Sequence, residues 1–236
     1  FAAADFGFSD PNDSPANNLA AVKIGTLPLA DSLIDNGVAL ALGQLVSVTD
    51  INGGLLRFTP AANANGNGYA SFTFQVQDDG GTLNSGVNLD QSPNTMAVNV
   101  NAVNDAPMAT DDVLTSVAED SGVRTIAFTE LTGNDSTGPA NESAQTLTVS
   151  AVSGAVGGTV AIVGGQVAFT PTANFNGAAS FDYTVTDNGT TNGVLDALSE
   201  MGQASVMVIA DNDAPVAPDD APTSVASPYD NPGTHF

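Results

Sequence analysis

The chain has 236 residues, with 26 aspartates and glutamates against 3 lysines and arginines, a net charge of −23. That balance excludes a protein that tracks nucleic-acid phosphates or inserts into an anionic membrane surface, and the 42% hydrophobic content is too high for a disordered acidic tail. Cysteine is absent, so neither disulfides nor thiolate metal sites brace the fold, and no apolar run approaches the roughly 20 residues of a membrane span.

In chain order, the dominant pattern is period-two alternation broken by turn residues. DNG at Asp35–Gly37 and NGNG at Asn65–Gly68 are tight turns, and VTDIN at Val48–Asn52 is a single helical turn. Phe72, Phe74 and Val76 then face one way and Thr73, Gln75 and Gln77 the other, which predicts a half-buried strand. DDGG at Asp78–Gly81 closes it, and Met96, Val98 and Val100 form the next strand. After an interruption at Asn104–Pro107 the pattern resumes with Leu147, Val149 and Ala151, then Phe181, Tyr183 and Val185, and ends with Ala204, Val206 and Val208. Many short strands with 24 Gly and 13 Pro predict an all-β chain of two tandem Greek-key β-sandwiches, Ig-like in architecture and joined end to end as a rod.

The two halves repeat. NDAP at Asn104–Pro107, DD at Asp111–Asp112 and TSVA at Thr115–Ala118 recur from Asn212 to Ala226. GGLLRFTPAANANG from Gly53 aligns with GGQVAFTPTANFNG from Gly164, and FTFQVQD from Phe72 with FDYTVTD from Phe181. The expected units are 1–104, a sandwich lacking its first strand, 105–212, a complete one, and 213–236, the first-strand segment of a further repeat. Thr223, Ser224, Val225 and Ala226 of that segment are a candidate donor strand for the first unit of a neighbouring copy, which predicts a head-to-tail filament. The rival expectation is a fragment of a longer chain whose neighbouring repeats fill the gap, and the mass of the native polypeptide distinguishes the two.

Carboxylates gather at strand ends and in the linker. Hard oxygen donors in loops suit calcium, which takes six to eight of them, and a divalent cation gives such clustering a physical reason. The plain alternative is that acidic residues fill turns and keep the protein soluble.

VNAVNDAP at Val100–Pro107 and VIADNDAP at Val208–Pro215, with GNDS at Gly133–Ser136 and FTPTANFNG from Phe169, resemble the tandem cadherin-like repeats of large bacterial surface proteins and adhesins. The resemblance covers almost the whole chain. It implies calcium held by Asn104, Asp105, Asp135 and Asp187 at the central linker. At the next junction it implies Glu119 with Asp211, Asn212 and Asp213, and it places Asp10 and Asp78 in the corresponding loops of the first unit. The chain departs from the family pattern at STGPANESAQ, Ser136–Gln145, where further aspartates are usual.

Imidazole and thiol catalysis lack their parts, since the single histidine is His235 and there is no cysteine. Spacing leaves a carboxylate pair for glycoside hydrolysis open, but aspartates at turns between repeated strands are more often structural or metal-binding, and the chain is not read as an enzyme. Asn12, Asn134, Asn141 and Asn188 begin N-x-S/T sequons in loops, candidate glycan acceptors. The expected function is a calcium-stabilised structural or adhesive element of a bacterial cell surface or extracellular fibre. The alternative is a carbohydrate-binding or accessory module of a larger secreted protein, with Tyr69 and Tyr229 as stacking platforms; a 6% aromatic content without Trp weighs against it.

Overall fold

The computed structural model describes residues 1–29 and 31–217. The first unit contains β1 (Leu19–Ile24), β2 (Ser32–Asp35), β3 (Val38–Ala39), β4 (Leu45–Ser47), β5 (Leu56–Thr59), β6 (Gly66–Asp78) and β7 (Asn94–Val100). The second contains β8 (Asp112–Ala118), β9 (Arg124–Ala127), β10 (Thr148–Val156), β11 (Gly158–Val163), β12 (Gln166–Pro171), β13 (Gly177–Thr186), β14 (Thr190–Thr191), β15 (Val194–Leu195) and β16 (Ser199–Ile209). Two short helices, α1 (Val48–Asn52) and α2 (Phe128–Leu131), cap strand ends. The chain is all-β, two sandwiches in tandem.

Each unit has its own core. In the first, a β4-β1-β6-β7 sheet faces a β3-β2-β5 sheet around Val22, Ile24, Leu33, Leu56, Phe72 and Phe74. In the second, β10-β13-β16-β8 faces β11-β12-β9 around Ile126, Val167, Phe169, Phe181, Tyr183 and Val206. The alternation expected for Phe181, Tyr183 and Val185 puts all three fully inside. The expectation for Leu147, Val149 and Ala151 fails at its last member: a bulge between Val149 and Ala151 turns Ala151 outward and packs Val152 against the core.

The helical turn expected at VTDIN is α1. Ser47 caps it by accepting from the Asp50 amide at 3.0 Å, and Ile51 plugs the core. At the DNG turn, Asn36 and Gly37 adopt φ of 48° and 80°, the left-handed pair that a two-residue hairpin requires.

The units differ at their edges. In the second, β8 runs parallel to β16 with Leu114 opposite Val206 and Val117 opposite Val208, while β9 pairs with β12. In the first, β7 ends its sheet and β5 ends the other. Phe1 stands where Ile126 stands in the second unit. Its amine donates to the Leu56 carbonyl, and its ring packs edge-on against Phe72.

Candidate metal centre at the linker

The chain leaves β7 and enters a buried polar knot built on the NDAP word. Asn104 is buried, and its backbone amide donates to Thr191 Oγ1 at 2.9 Å. Its Nδ2 donates to Asp187 Oδ1 at 3.1 Å and to the Asp196 carbonyl at 2.9 Å, and its Oδ1 accepts from Gln145 Nε2 at 2.7 Å. The fit is close: a Cβ at Gly189 would collide with the Asn104 carboxamide, so only glycine serves there. The next amide, Asp105 N, donates to Glu142 Oε1 at 2.9 Å.

Asp187, at the end of β13, accepts three donors on Oδ1, from Asn104, Gly189 N and Leu198 N. Its other oxygen has none. Asp187 Oδ2, Glu142 Oε2 and Gln145 Oε1 are all buried acceptors without a hydrogen-bond partner. Each belongs to a residue bonded to Asn104 or Asp105. Gly138, at φ 117°, makes room for the Glu142 carboxylate, because a Cβ there would lie 2.6 Å from Oε2. Unpaired buried carboxylate oxygens are costly unless a cation meets them. The donor chemistry is that of a hard divalent ion. In number the residues fall short of a full shell: among the described residues no group of three acidic, histidine or cysteine side chains is arranged to hold a metal. Amide and carbonyl oxygens or water would have to complete it.

Asn104 and Asp187, two of the residues the resemblance implies, meet through a hydrogen bond; Asp105 reaches the knot through its backbone amide, and Glu142, Gln145 and Asp196 join them. Glu142 and Gln145 come from the stretch Ser136–Gln145. Asp135 is placed elsewhere. Its Oδ1 accepts from Thr110 N at 2.8 Å, and its unpartnered Oδ2 belongs to a second cluster with Asp112 and Tyr183. Burial pushes the carboxyls of Asp112 and Asp135 above the ordinary range, Asp135 adding to the rise at Asp112, while the Tyr183 hydroxyl offsets part of it. Burial and Asp112 raise Tyr183 in turn, which keeps its hydroxyl a donor towards the Thr110 and Leu131 carbonyls at 3.1 and 3.2 Å. Asp112 lies in the repeated DD and Tyr183 in the alternating strand, yet neither is among the site residues expected from the sequence; the available signal is a tyrosine on the apolar face of β13.

At the far end Glu119 is buried and accepts from Asp211 N at 2.7 Å, so this expected pair is in contact. Asn212 and Asp213 follow on the exposed chain. In the first unit Asp10 accepts from Asn17 N at 2.9 Å across a loop, and Asp78 accepts from Gly80 N at 2.7 Å, a local Asx-type turn bond. The four sequon asparagines are exposed, though Asn134 donates to the Thr110 carbonyl and Asn188 accepts from Thr146 N. Tyr69 is half-buried, its hydroxyl bonded to Asp31 and its ring edge-on to Phe58. Tyr229 and the donor-strand residues Thr223–Ala226 lie outside the described residues. No helix among the described residues is long and apolar enough to cross a membrane.

A comparison of the sequence with curated proteins finds no match. Among solved structures the chain is similar to the crystal structure of human mucin-like protocadherin EC1-2, with 16% identity over 80% of this chain and 84% of that one and a TM-score of 0.36, a likeness too loose to carry an argument. The family model of the cadherin-like domain matches residues 103–199, a span that begins at the linker and holds the whole Asn104 knot. That stretch of the chain is similar to a cadherin-like domain.

Proposed function

We propose that the chain is a calcium-stabilised structural and adhesive repeat of a bacterial cell surface or extracellular fibre, assembling head to tail through its C-terminal segment. Its similarity to a cadherin-like domain supports the extracellular structural or adhesive role. One observation carries the calcium half: three buried acceptor oxygens, from Glu142, Gln145 and Asp187, lack donors around a linker in a chain of net charge −23. Asn104, Asp105, Glu142, Gln145 and Asp187 would hold the ion at the linker, and Glu119 with Asp211, Asn212 and Asp213 at the next junction. Calcium would neutralise the buried carboxylates and bind the linker to the loops after β13 and before β10. The protein's own residues already fix the linker's course through the Asn104 side chain. The division into 1–104, 105–212 and 213–236 belongs to the same reading, as do glycans on the exposed sequons.

The test is a calcium titration followed by calorimetric melting and electron microscopy. At a calcium concentration 100 times the dissociation constant the second unit should gain about 2.7 kcal/mol, and Glu142→Gln or Asp187→Asn should remove most of that gain. Absence of both stabilisation and filaments would overturn the reading.

A further inference from the structure

The two sheets of the second unit end on four strands, β10, β8, β11 and β9, and three of these edges are blunted. β10 is broken by two register shifts, one between Val149 and Ala151 and one between Ser153 and Val156. β8 carries Asp112 and meets a shift between Val206 and Val208. β9 begins at Arg124, which pairs with Glu130 at 3.6 Å. Charges and bulges are devices that keep a free strand edge from pairing with another chain. β11 has neither: all 6 of its residues pair with β12 in unbroken register, and no described strand lies along its outer side.

In the first unit the same edge is covered. β2 holds the place of β11, since Leu33 lies opposite Phe58 as Val160 lies opposite Phe169, and the repeat aligns Phe58 with Phe169. There β3 pairs with the outer side of β2, Ala39 opposite Ile34 and Val38 opposite Asp35. Leu33 is 2% exposed, whereas Val160 is half-buried and Ile162 and Val163 are 37% and 63% exposed. Charge sets β11 apart as well. From Ser143 to Phe181 the chain has no charged residue, although the whole carries −23.

We infer that β11 is a pairing edge for β11 of a second copy of the chain, the two strands running antiparallel across a two-fold axis with the two Ala161 residues facing each other. Charge selects this occupant. Two chains at −23 repel through their acidic faces, and the uncharged edge is where that repulsion is least, while a basic partner is drawn to the acidic loops instead. The strand also matches itself. Only alternate residues turn their N–H and C=O outward, so an antiparallel edge pairs residues of like parity. With the small Ala161 on the axis, Val160 meets Ile162 on the inner face and Thr159 meets Val163 on the outer one. The contact is lateral, and it needs neither calcium nor the chain ends. A ladder of 6 residues buries less than a stable dimer does, so association depends on concentration and strengthens with screening salt.

Native cysteine is absent, so one introduced thiol reports the contact. The full chain carrying Ala161→Cys is oxidised at high protein concentration in chelator, at low and high salt, and run on a denaturing gel. Opposite residues of an antiparallel ladder lie within disulfide reach. The control is Thr125→Cys, exposed on β9 at the other edge of the same sheet. The expected result is a covalent dimer that forms faster from Ala161→Cys than from Thr125→Cys, and more completely in high salt. Adding Thr159→Asp with Val163→Asp sets carboxylates directly opposite one another and should abolish that excess. Both positions are exposed, so the second unit should still melt as one folded domain. Light scattering of the cysteine-free chain in chelator should show a mass that rises with concentration, and the two aspartates should hold it flat. Equal dimer yields from the two cysteine variants would overturn the proposal. A rise in mass that survives the two aspartates would assign association to another surface, and would overturn it too.

Discussion

The two units are built on one plan and differ in what lies against their last strand. In the second, β16 is held between β13 and β8, and Ala204, Val206 and Val208 are at most 3% exposed. In the first, their counterparts Met96, Val98 and Val100 on β7 are half-exposed, because β7 ends its sheet. The same alternation thus gives a dry core in one place and a half-wet face in the other. The difference comes from the strand that follows the linker, so the NDAP-to-TSVA word is a structural part of the sandwich as well as a joint.

The largest expected effect tests that difference directly. Leu114→Ala removes the side chain through which β8 joins the core, and should cost the second unit about 2–5 kcal/mol, the range for a large core residue cut to alanine. The melting transition of the first unit should not move. Val206→Ala and Val98→Ala extend the comparison: the first deletes methyl groups from a sealed core, the second from a half-exposed face, so the first should destabilise its unit more. Equal losses in calorimetry would mean that β7 is covered in solution, as head-to-tail assembly requires. The pair should therefore be measured below and above the concentration at which filaments form.

Asn104→Ala comes next. It strips a donor from Asp187 and from the Asp196 carbonyl and an acceptor from Gln145, leaving buried polar groups unmet, at a cost of about 1–3 kcal/mol to the second unit. Substitution of Asp78, a part-buried carboxylate that accepts from Gly80 N two residues on, should cost less. Tyr183→Phe follows, installing the residue that Phe74 already is in the first unit. Losing one hydroxyl shared between the Thr110 and Leu131 carbonyls should cost about 0.5–1.5 kcal/mol, read as a drop in the second transition alone.

Most of the fold was legible because its signals are local. Strand alternation at Phe72–Val76 and Phe181–Val185, the Asn36-Gly37 turn and the helical turn at Val48–Asn52 depend on neighbours in sequence. What escaped depends on register across the sheet. The bulge after Val149 swaps Ala151 for Val152, and nothing in the residues themselves marks it. At the linker the family resemblance names Asn104, Asp105 and Asp187, and the first and last of these share a hydrogen bond. Glu142 and Gln145 escaped because a short 3-10 turn at Ala140–Glu142 folds them back from more than 35 positions away to meet Asn104 and Asp105. Asp135 was assigned to that site by motif, but β8's approach draws it to Thr110. An acidic loop can be read from sequence, while the partner it reaches is fixed by the strands on either side.

The smallest expected effect is a divergence of the two units with pH. Burial raises the Asp112 and Asp135 carboxyls in the second unit, so its folded state holds those protons more tightly than the unfolded chain does. Their contribution is therefore greatest below the ordinary carboxylate value and is lost as pH rises through the raised one. In the first unit Asp79 is held below the ordinary value by the Asn18 amide and side chain, so its contribution is present at neutral pH and is lost on acidification. Asp35, raised by burial and by Asp50, opposes it there. Acidification also relieves the repulsion of a chain at −23, which lifts both transitions together. The informative quantity is the gap between them: from pH 7 towards pH 4, in the absence of calcium, the second transition should rise relative to the first. Asp112→Asn should raise the second transition at pH 7 and narrow its change with pH, because it replaces a desolvated charge with a neutral group of the same shape. A transition that falls at pH 7 on this substitution would mean that Asp112 is held charged by a cation, and would move the metal-binding role from Asn104 towards β8.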